Sequence, residues 1–249
     1  MHRGSAAALL VLLGVFPALA QKQKEPAIQD NSLLTEEAYN QEEGVVQHIS
    51  FFQRDSRTHD WIYTFTQEWP VPAQKHQLSY TVPLQTGSRI GDLAINYRYQ
   101  LAGNSESKFA AAPRFTLLLP TGDWRRGDGN GSTGYNGSIA CSYAPVEQWN
   151  FHIDAGAITV PHSRGMAHSL LLADNVVWRP SKRINFMLES LWQRTDGENS
   201  LLLNPSVRWA YNYSSGLQIV PAIGFPIGVG PSAGERAMVL YLSFEHPFR

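Results

Sequence analysis

Six residues carry most of the chemistry that this sequence offers: Asn96, Arg98, Arg114, Asp154, Glu189 and Arg208. They fall within segments of alternating apolar and polar residues, mostly on the face opposite the apolar row, and Asp92 and Glu245 belong to the same set. Guanidinium and carboxylate groups spaced this way can pair with one another or with a passing solute. On a lipid-exposed face an Arg or Lys costs about 2 to 4 kcal/mol at bilayer mid-depth, so the set is expected to line the interior of a barrel. Both signs of charge are present, which argues against strong ion selectivity. Two arrangements satisfy the pattern: a pathway for a small solute, and a closed ion-pair network that fills the interior.

Other constellations point less clearly to chemistry. Gly129-Asn130-Gly131-Ser132-Thr133-Gly134 has the spacing of a dinucleotide fingerprint, which works only between a strand and a helix whose N-terminus receives the pyrophosphate. Here a strand is expected to follow. With Asp123, Asp128 and Asn130 the stretch could hold calcium loosely, but a flexible outside loop is the simpler reading, since glycines permit tight turns. His162, Ser163, His168, Ser169 and Glu189 supply the residue types of a hydrolase. Consecutive strand residues face opposite ways, so His168 and Ser169 do not both point inward without a bulge, and no enzymatic activity is expected. Cys141 is the single cysteine, which leaves no internal disulfide or thiolate metal site, and no metal or cofactor is expected. Lys plus Arg total 20 against 21 for Asp plus Glu, with no basic block, so nucleic acid is not an expected partner.

The elements that must position these side chains are strands. In residues 92–101, Leu93, Ile95, Tyr97, Tyr99 and Leu101 share one face while Ala94, Asn96, Arg98 and Gln100 share the other. The same split recurs at Trp149, Phe151, Ile153 and Ala155 against Asn150, His152 and Asp154, and at Leu203, Val207, Trp209 and Tyr211 against Asn204, Ser206 and Arg208. Twelve strands are predicted, over 45–53, 60–69, 76–84, 91–101, 109–119, 137–143, 149–158, 168–179, 183–193, 201–212, 217–225 and 236–246. Most reach the nine to eleven residues that a tilted membrane-crossing strand needs, and the count is even, as single-chain barrels prefer. A soluble β-sandwich also alternates, but its strands average nearer five or six residues.

The connections support an all-β, transmembrane, antiparallel up-and-down barrel. Gaps at 120–136, 159–167 and 226–235 are long, whereas 180–182 and 213–216 are tight, the alternation of outside loops with periplasmic turns. An even strand count puts both barrel termini on the periplasmic side. Residues 21–44 then form a polar periplasmic segment, either plugging the barrel mouth or leading in without order. Trp61, Trp69, Trp149, Trp178, Trp192 and Trp209 fall towards strand ends or on apolar faces, as interfacial girdles require.

Export is read from the first twenty residues. His2 and Arg3 precede an apolar run from Ala6 to Phe16, then Pro17 and the small-residue end Ala18-Leu19-Ala20, the pattern of a signal peptide cleaved before Gln21. The run is too short for a membrane anchor, which needs about 20 residues. The chain is thus divided into a signal peptide over 1–20, a periplasmic segment over 21–44 and one barrel domain over 45–249. A length of 249 residues with 43% hydrophobic composition closes one such barrel and leaves no room for a second domain.

The run Gly91-Asp92-Leu93, continuing through Tyr97-Arg98-Tyr99, then Leu119-Pro120-Thr121-Gly122-Asp123 at the next long loop, resembles the outer-membrane β-barrel family linked with meta-pathway phenol degradation. The resemblance covers residues 60–248. It implies a passive channel or transporter for small, often hydrophobic or aromatic compounds, with no catalytic residue. The last strand, with Met238, Leu240, Leu242, Phe244, His246 and Phe248 on one face, looks like the signal read by the barrel-assembly machinery, departing from it at Pro247 and Arg249. Expected partners are therefore outer-membrane lipid, that machinery during biogenesis, and a small-molecule solute. The alternative function is a structural or adhesive barrel with a closed lumen.

Overall fold

Runs of β-branched and aromatic residues alternating with polar ones suit a pleated wall with one wet and one greasy face. The computed structural model describes Ile28 and residues 31–162 and 165–248, and it turns each run into a strand. The expected signal peptide lies outside the described residues. The strands are β1 (Val45–Asp55), β2 (Trp61–Pro70), β3 (His76–Gln85), β4 (Leu93–Tyr99), β5 (Phe109–Leu119) and β6 (Gly134–Val146). They continue as β7 (Trp149–His162), β8 (Gly165–Ser181), β9 (Ile184–Thr195), β10 (Glu198–Trp209), β11 (Gln218–Gly224) and β12 (Ala237–Pro247). Each pairs antiparallel with the next, and β12 returns to β1 with Val45 opposite Pro247 and Asp55 opposite Ala237, closing a 12-strand barrel. Closure removes the open edges that a sheet would otherwise have to cover.

The wall is polar inside and apolar outside. On β7 the inward residues Asn150, His152 and Asp154 are 4%, 3% and 7% exposed, while Trp149, Phe151 and Ile153 between them are 41%, 42% and 47% exposed. A sandwich would bury the aromatic row and expose the polar one, so this pattern excludes it. The exposed row continues around the barrel through Leu172, Trp178, Phe186, Leu188 and Leu240. Trp149, Trp178 and Phe186 stack in sequence across β7, β8 and β9, at ring-centroid separations of 6.5 and 5.5 Å. Such a surface is what a bilayer solvates and water does not.

Both ends of the barrel chain meet at one rim, here the near end, where Phe248 N donates to Gly44 O. The expected alternation of loop lengths needs correction. The gap predicted at 159–167 is mostly ladder, paired from Thr159 opposite His168 to His162 opposite Gly165. At the far end, β9 and β10 are joined by Asp196-Gly197, both with positive φ (50° and 92°), the turn whose twist matches a hairpin. Near-end connections are not uniformly short either, since 210–217 carries the two-residue strand Tyr211–Asn212, broken from β10 at Ala210. The far end is therefore built up by extended strands on the β7–β10 side as much as by loops.

An outward-facing charge tests this inside-out arrangement. Replacing Leu188, which faces out between Phe186 and Ser190, with Arg is expected to cost about 2 to 4 kcal/mol of folding stability in lipid vesicles. Equilibrium unfolding in denaturant measures it; a cost within 0.5 kcal/mol, about that of an ordinary exposed position, would contradict a lipid-facing wall.

Candidate functional site

The lumen of the near half is occupied by the chain itself. Residues 31–43 form neither helix nor strand, yet most of them are buried. They enter at the near end, where Asn40 Nδ2 donates to Gln74 O in the β2–β3 turn (2.9 Å). They cross the interior, and they return towards the near end, where Ile28 packs on Ala210 and Val220. The wall is small where Ala38 lies against Ala110, Ala112 and Ala140, and apolar where Leu33 meets Ile49, Val177, Met187, Ala222, Val239 and Tyr241. Small side chains leave room for a strand-like segment in a barrel whose interior would otherwise hold side chains or water.

A segment with no secondary structure has backbone groups to satisfy, and the wall's side chains satisfy them. Glu189 Oε1 accepts from Leu34 N and Thr35 N at 2.7 and 3.0 Å, and its other oxygen accepts from Asn204 Nδ2 at 2.7 Å. Ser142 Oγ accepts from Ala38 N (2.8 Å), Gln100 Oε1 from Asn40 N (2.9 Å) and Gln77 Oε1 from Gln41 N (2.6 Å). The carbonyls are served by Arg98, which donates to Glu37 O and Tyr39 O, by Gln100 to Ala38 O and by Arg208 to Asn31 O.

Ion pairs complete the seal. Glu36 pairs with Arg114 and lies 3.6 Å from Arg98 Nη1. Glu37 is almost fully buried; Arg208 Nη1 lies 3.0 Å from its Oε1, Ser32 Oγ donates to the same oxygen at 2.7 Å, and His152 Nε2 is 3.6 Å from Oε2. Burying charges is costly unless each is paired and hydrogen-bonded, so the network holds as a unit or not at all.

The six residues singled out in the sequence all lie on inward rows. Arg98 and Arg114 are directly opposite one another on β4 and β5, and the segment bridges them to Glu189 and Arg208 across the interior. Asn96 stands apart on β4, where its carboxamide links Ser79 and Thr116 at 3.1 and 2.8 Å. Asp154 is buried on β7 two residues beyond His152. Sequence reasoning passed over Glu36 and Glu37, and over Ser142 and His152, whose Oγ and Nδ1 lie 2.7 Å apart. The signal available was a pair of acids in the leader facing a barrel whose strands carry buried arginines.

The hydrolase set is not brought together. His168 contacts Thr159 and Ser169 contacts Thr195, on opposite faces of β8, while Glu189 serves the leader; the side chains of His162 and Ser163 lie outside the described residues.

At the far mouth the glycine-rich loop, expected to be flexible, is tied down. Asp92 accepts from Gly122 N, Asn130 N and Asn130 Nδ2 at 3.0, 2.7 and 2.9 Å. Thr121 Oγ1 accepts from Leu93 N and donates to Gly91 O, each at 2.9 Å. Asp128 is buried and paired with Arg89 at 2.9 Å, and Gln85, on the inward row of β3, donates to its carbonyl. A Cβ on Gly129 would collide with the Asp92 carboxylate, which is why glycine stands there. Asp92, grouped above with the lumen charges, is thus a loop anchor rather than part of the occupied lumen.

Three solved structures share this fold. A KdgM porin in complex with disordered oligogalacturonate aligns with TM-score 0.56 and 11% identity, over 82% of this chain and 99% of that one. An outer-membrane channel from Pseudomonas putida F1 aligns with TM-score 0.57 and 14% identity, over 85% and 98%. A NanC porin aligns with TM-score 0.56 and 11% identity, over 79% and 98%. No family model matches the sequence, and no curated protein matches it.

Two substitutions probe these contacts. Glu189→Ala leaves the Leu34 and Thr35 amides without their acceptor, and since a buried unsatisfied group costs about 1 to 3 kcal/mol, their hydrogen exchange should accelerate by about 5- to 150-fold. Unchanged exchange at both amides would mean that the carboxylate does not hold the segment. Asp92→Ala removes three hydrogen bonds from loop 120–133, and limited proteolysis should then cut there while sparing the barrel; resistance equal to that of the parent would assign the loop's order to other contacts.

Proposed function

We propose that this protein is a passive channel or transporter for small molecules in the bacterial outer membrane, held closed at rest by its own leader. The observation that carries the reading is the inside-out barrel whose polar lumen is filled by residues 31–43, held to the wall by side-chain contacts rather than by strand pairing. The even strand count puts both barrel termini on the periplasmic side, so the near end faces the periplasm and the leader reaches the lumen from there. The shared fold of outer-membrane porins and channels supports this assignment.

In this reading Asn96, Arg98, Arg114, Asp154, Glu189 and Arg208 line the pathway once the leader withdraws. The sequence resemblance suggests small hydrophobic or aromatic compounds as the cargo, outer-membrane lipid surrounds the wall, and the barrel-assembly machinery reads β12 during biogenesis. No step of this function calls for catalysis. The filled lumen also favours a second reading, a structural or adhesive barrel that never opens and that uses loop 120–133 for a partner.

Solute flux separates the two. Protein reconstituted in liposomes should pass small solutes slowly, and Arg114→Ala, which leaves Glu36 only the longer 3.6 Å approach to Arg98, should speed entry by about 5- to 30-fold if the lost pair is worth about 1 to 2 kcal/mol. If a barrel lacking residues 21–40 folds and still passes nothing, the channel reading fails and the closed barrel takes its place.

A further inference from the structure

The leader's two acids are adjacent in sequence but meet separate pairs of cationic wall residues. One recess is Arg98 and Arg114, cross-strand partners on β4 and β5. The other is Arg208 on β10 with His152 on β7, both almost fully buried. Arg98 is steadied from the wall by Gln77 Oε1 at 3.1 Å, and Arg208 faces Asn185 across the β9–β10 ladder. The leader completes them: Asn40 Oδ1 and the Glu37 and Tyr39 carbonyls accept from Arg98, and Asn31 O accepts from Arg208.

Charge counting across the lumen does not decide what they bind, because Glu68, Asp154 and Glu189 are wall acids too. Direction decides. Glu189 is turned to the amides of Leu34 and Thr35 and to Asn204, and Glu68 Oε2 accepts from Gln77 Nε2 at 2.7 Å. Asp154 lies within electrostatic reach of Arg98 and Arg114 and offsets part of their charge, while Arg114 Nη1 and Arg208 Nη1 are aimed at Glu36 and Glu37. Guanidinium groups presented this way in a narrow interior select carboxylates, through charge-assisted hydrogen bonds that a neutral solute cannot replace.

We infer that the two recesses are binding subsites for carboxylate solutes, best filled by two carboxylates on neighbouring units, and that Glu36-Glu37 is a tethered occupant which such a solute displaces. This rests on the channel reading above and narrows its cargo to acids. It also gives opening a cause, since a ligand that competes for the recesses shifts the leader from its closed position by mass action.

The test uses the full chain in detergent and the dipeptide glutamyl-glutamate as probe, with glutaminyl-glutamine as the neutral-side-chain control. In the Glu36→Gln/Glu37→Gln protein, checked for a closed barrel by its heat-dependent gel shift, the acidic dipeptide should bind at least about tenfold more tightly than the control. The preference should vanish when Arg114→Gln and Arg208→Gln are added. In the parent protein the acidic dipeptide should accelerate hydrogen exchange at Leu34 and Thr35 several-fold while the control does not. Equal binding of the two dipeptides, or no binding together with unchanged exchange in the parent, overturns the inference. Liposome flux of a neutral solute reports separately on the channel: flux without acid preference removes only this inference, and acid preference without flux removes only the channel.

Discussion

Every polar group sealed inside a closed barrel must find a partner in the protein or in trapped water, and this one requirement organises the molecule. The inward rows of β4 to β10 carry arginines, acids and amides that would be costly to bury alone. The leader carries a backbone without secondary structure, equally costly to bury alone. Each solves the other's problem: Glu189 takes two leader amides, Arg98 takes two leader carbonyls, and Glu36 and Glu37 neutralise Arg114 and Arg208. The alanines at 110, 112 and 140 belong to the same solution, since larger side chains there would close the space through which Ala38 and Tyr39 pass.

How much of this could be read from the sequence follows from the range of each interaction. Strand alternation is local, so the twelve strands were legible to within a few residues, from β5 at Phe109–Leu119 without error to β6, which runs three residues further at each end than the pattern over 137–143. The facing of Asn150, His152 and Asp154 followed from the same period. The leader's position was not legible, because it depends on contacts between residues as far apart as Thr35 and Glu189, and nothing in the local pattern of residues 31–43 distinguishes a bound loop from a disordered one. For that reason the sequence alone is compatible with both a plug and a disordered lead-in.

The far-end loop shows a different failure. Glycine-rich sequence was read as freedom, although glycine is equally what close packing of backbone demands. Gly91-Asp92 and Thr121-Gly122 lie about thirty residues apart and meet only because β4 and β5 pair. The motifs that carried the resemblance are thus a clasp: Asp92 needs nearby N–H groups, Thr121 bridges the start of β4, and the glycines keep Cβ atoms out of the joint. Short motifs of this kind report a fold and its rim directly, and bear on the cargo only through the family they resemble.

In the channel reading, the path of the leader limits how the barrel can open. Gly44 and Ile28 both lie towards the same rim, so the described residues 31–43 are inserted from one side rather than threaded from rim to rim. A loop can withdraw without pulling a chain terminus through the lumen. Withdrawal still strips the Leu34, Thr35, Ala38, Asn40 and Gln41 amides of their acceptors, and water has to enter as the loop leaves if that cost is to be met.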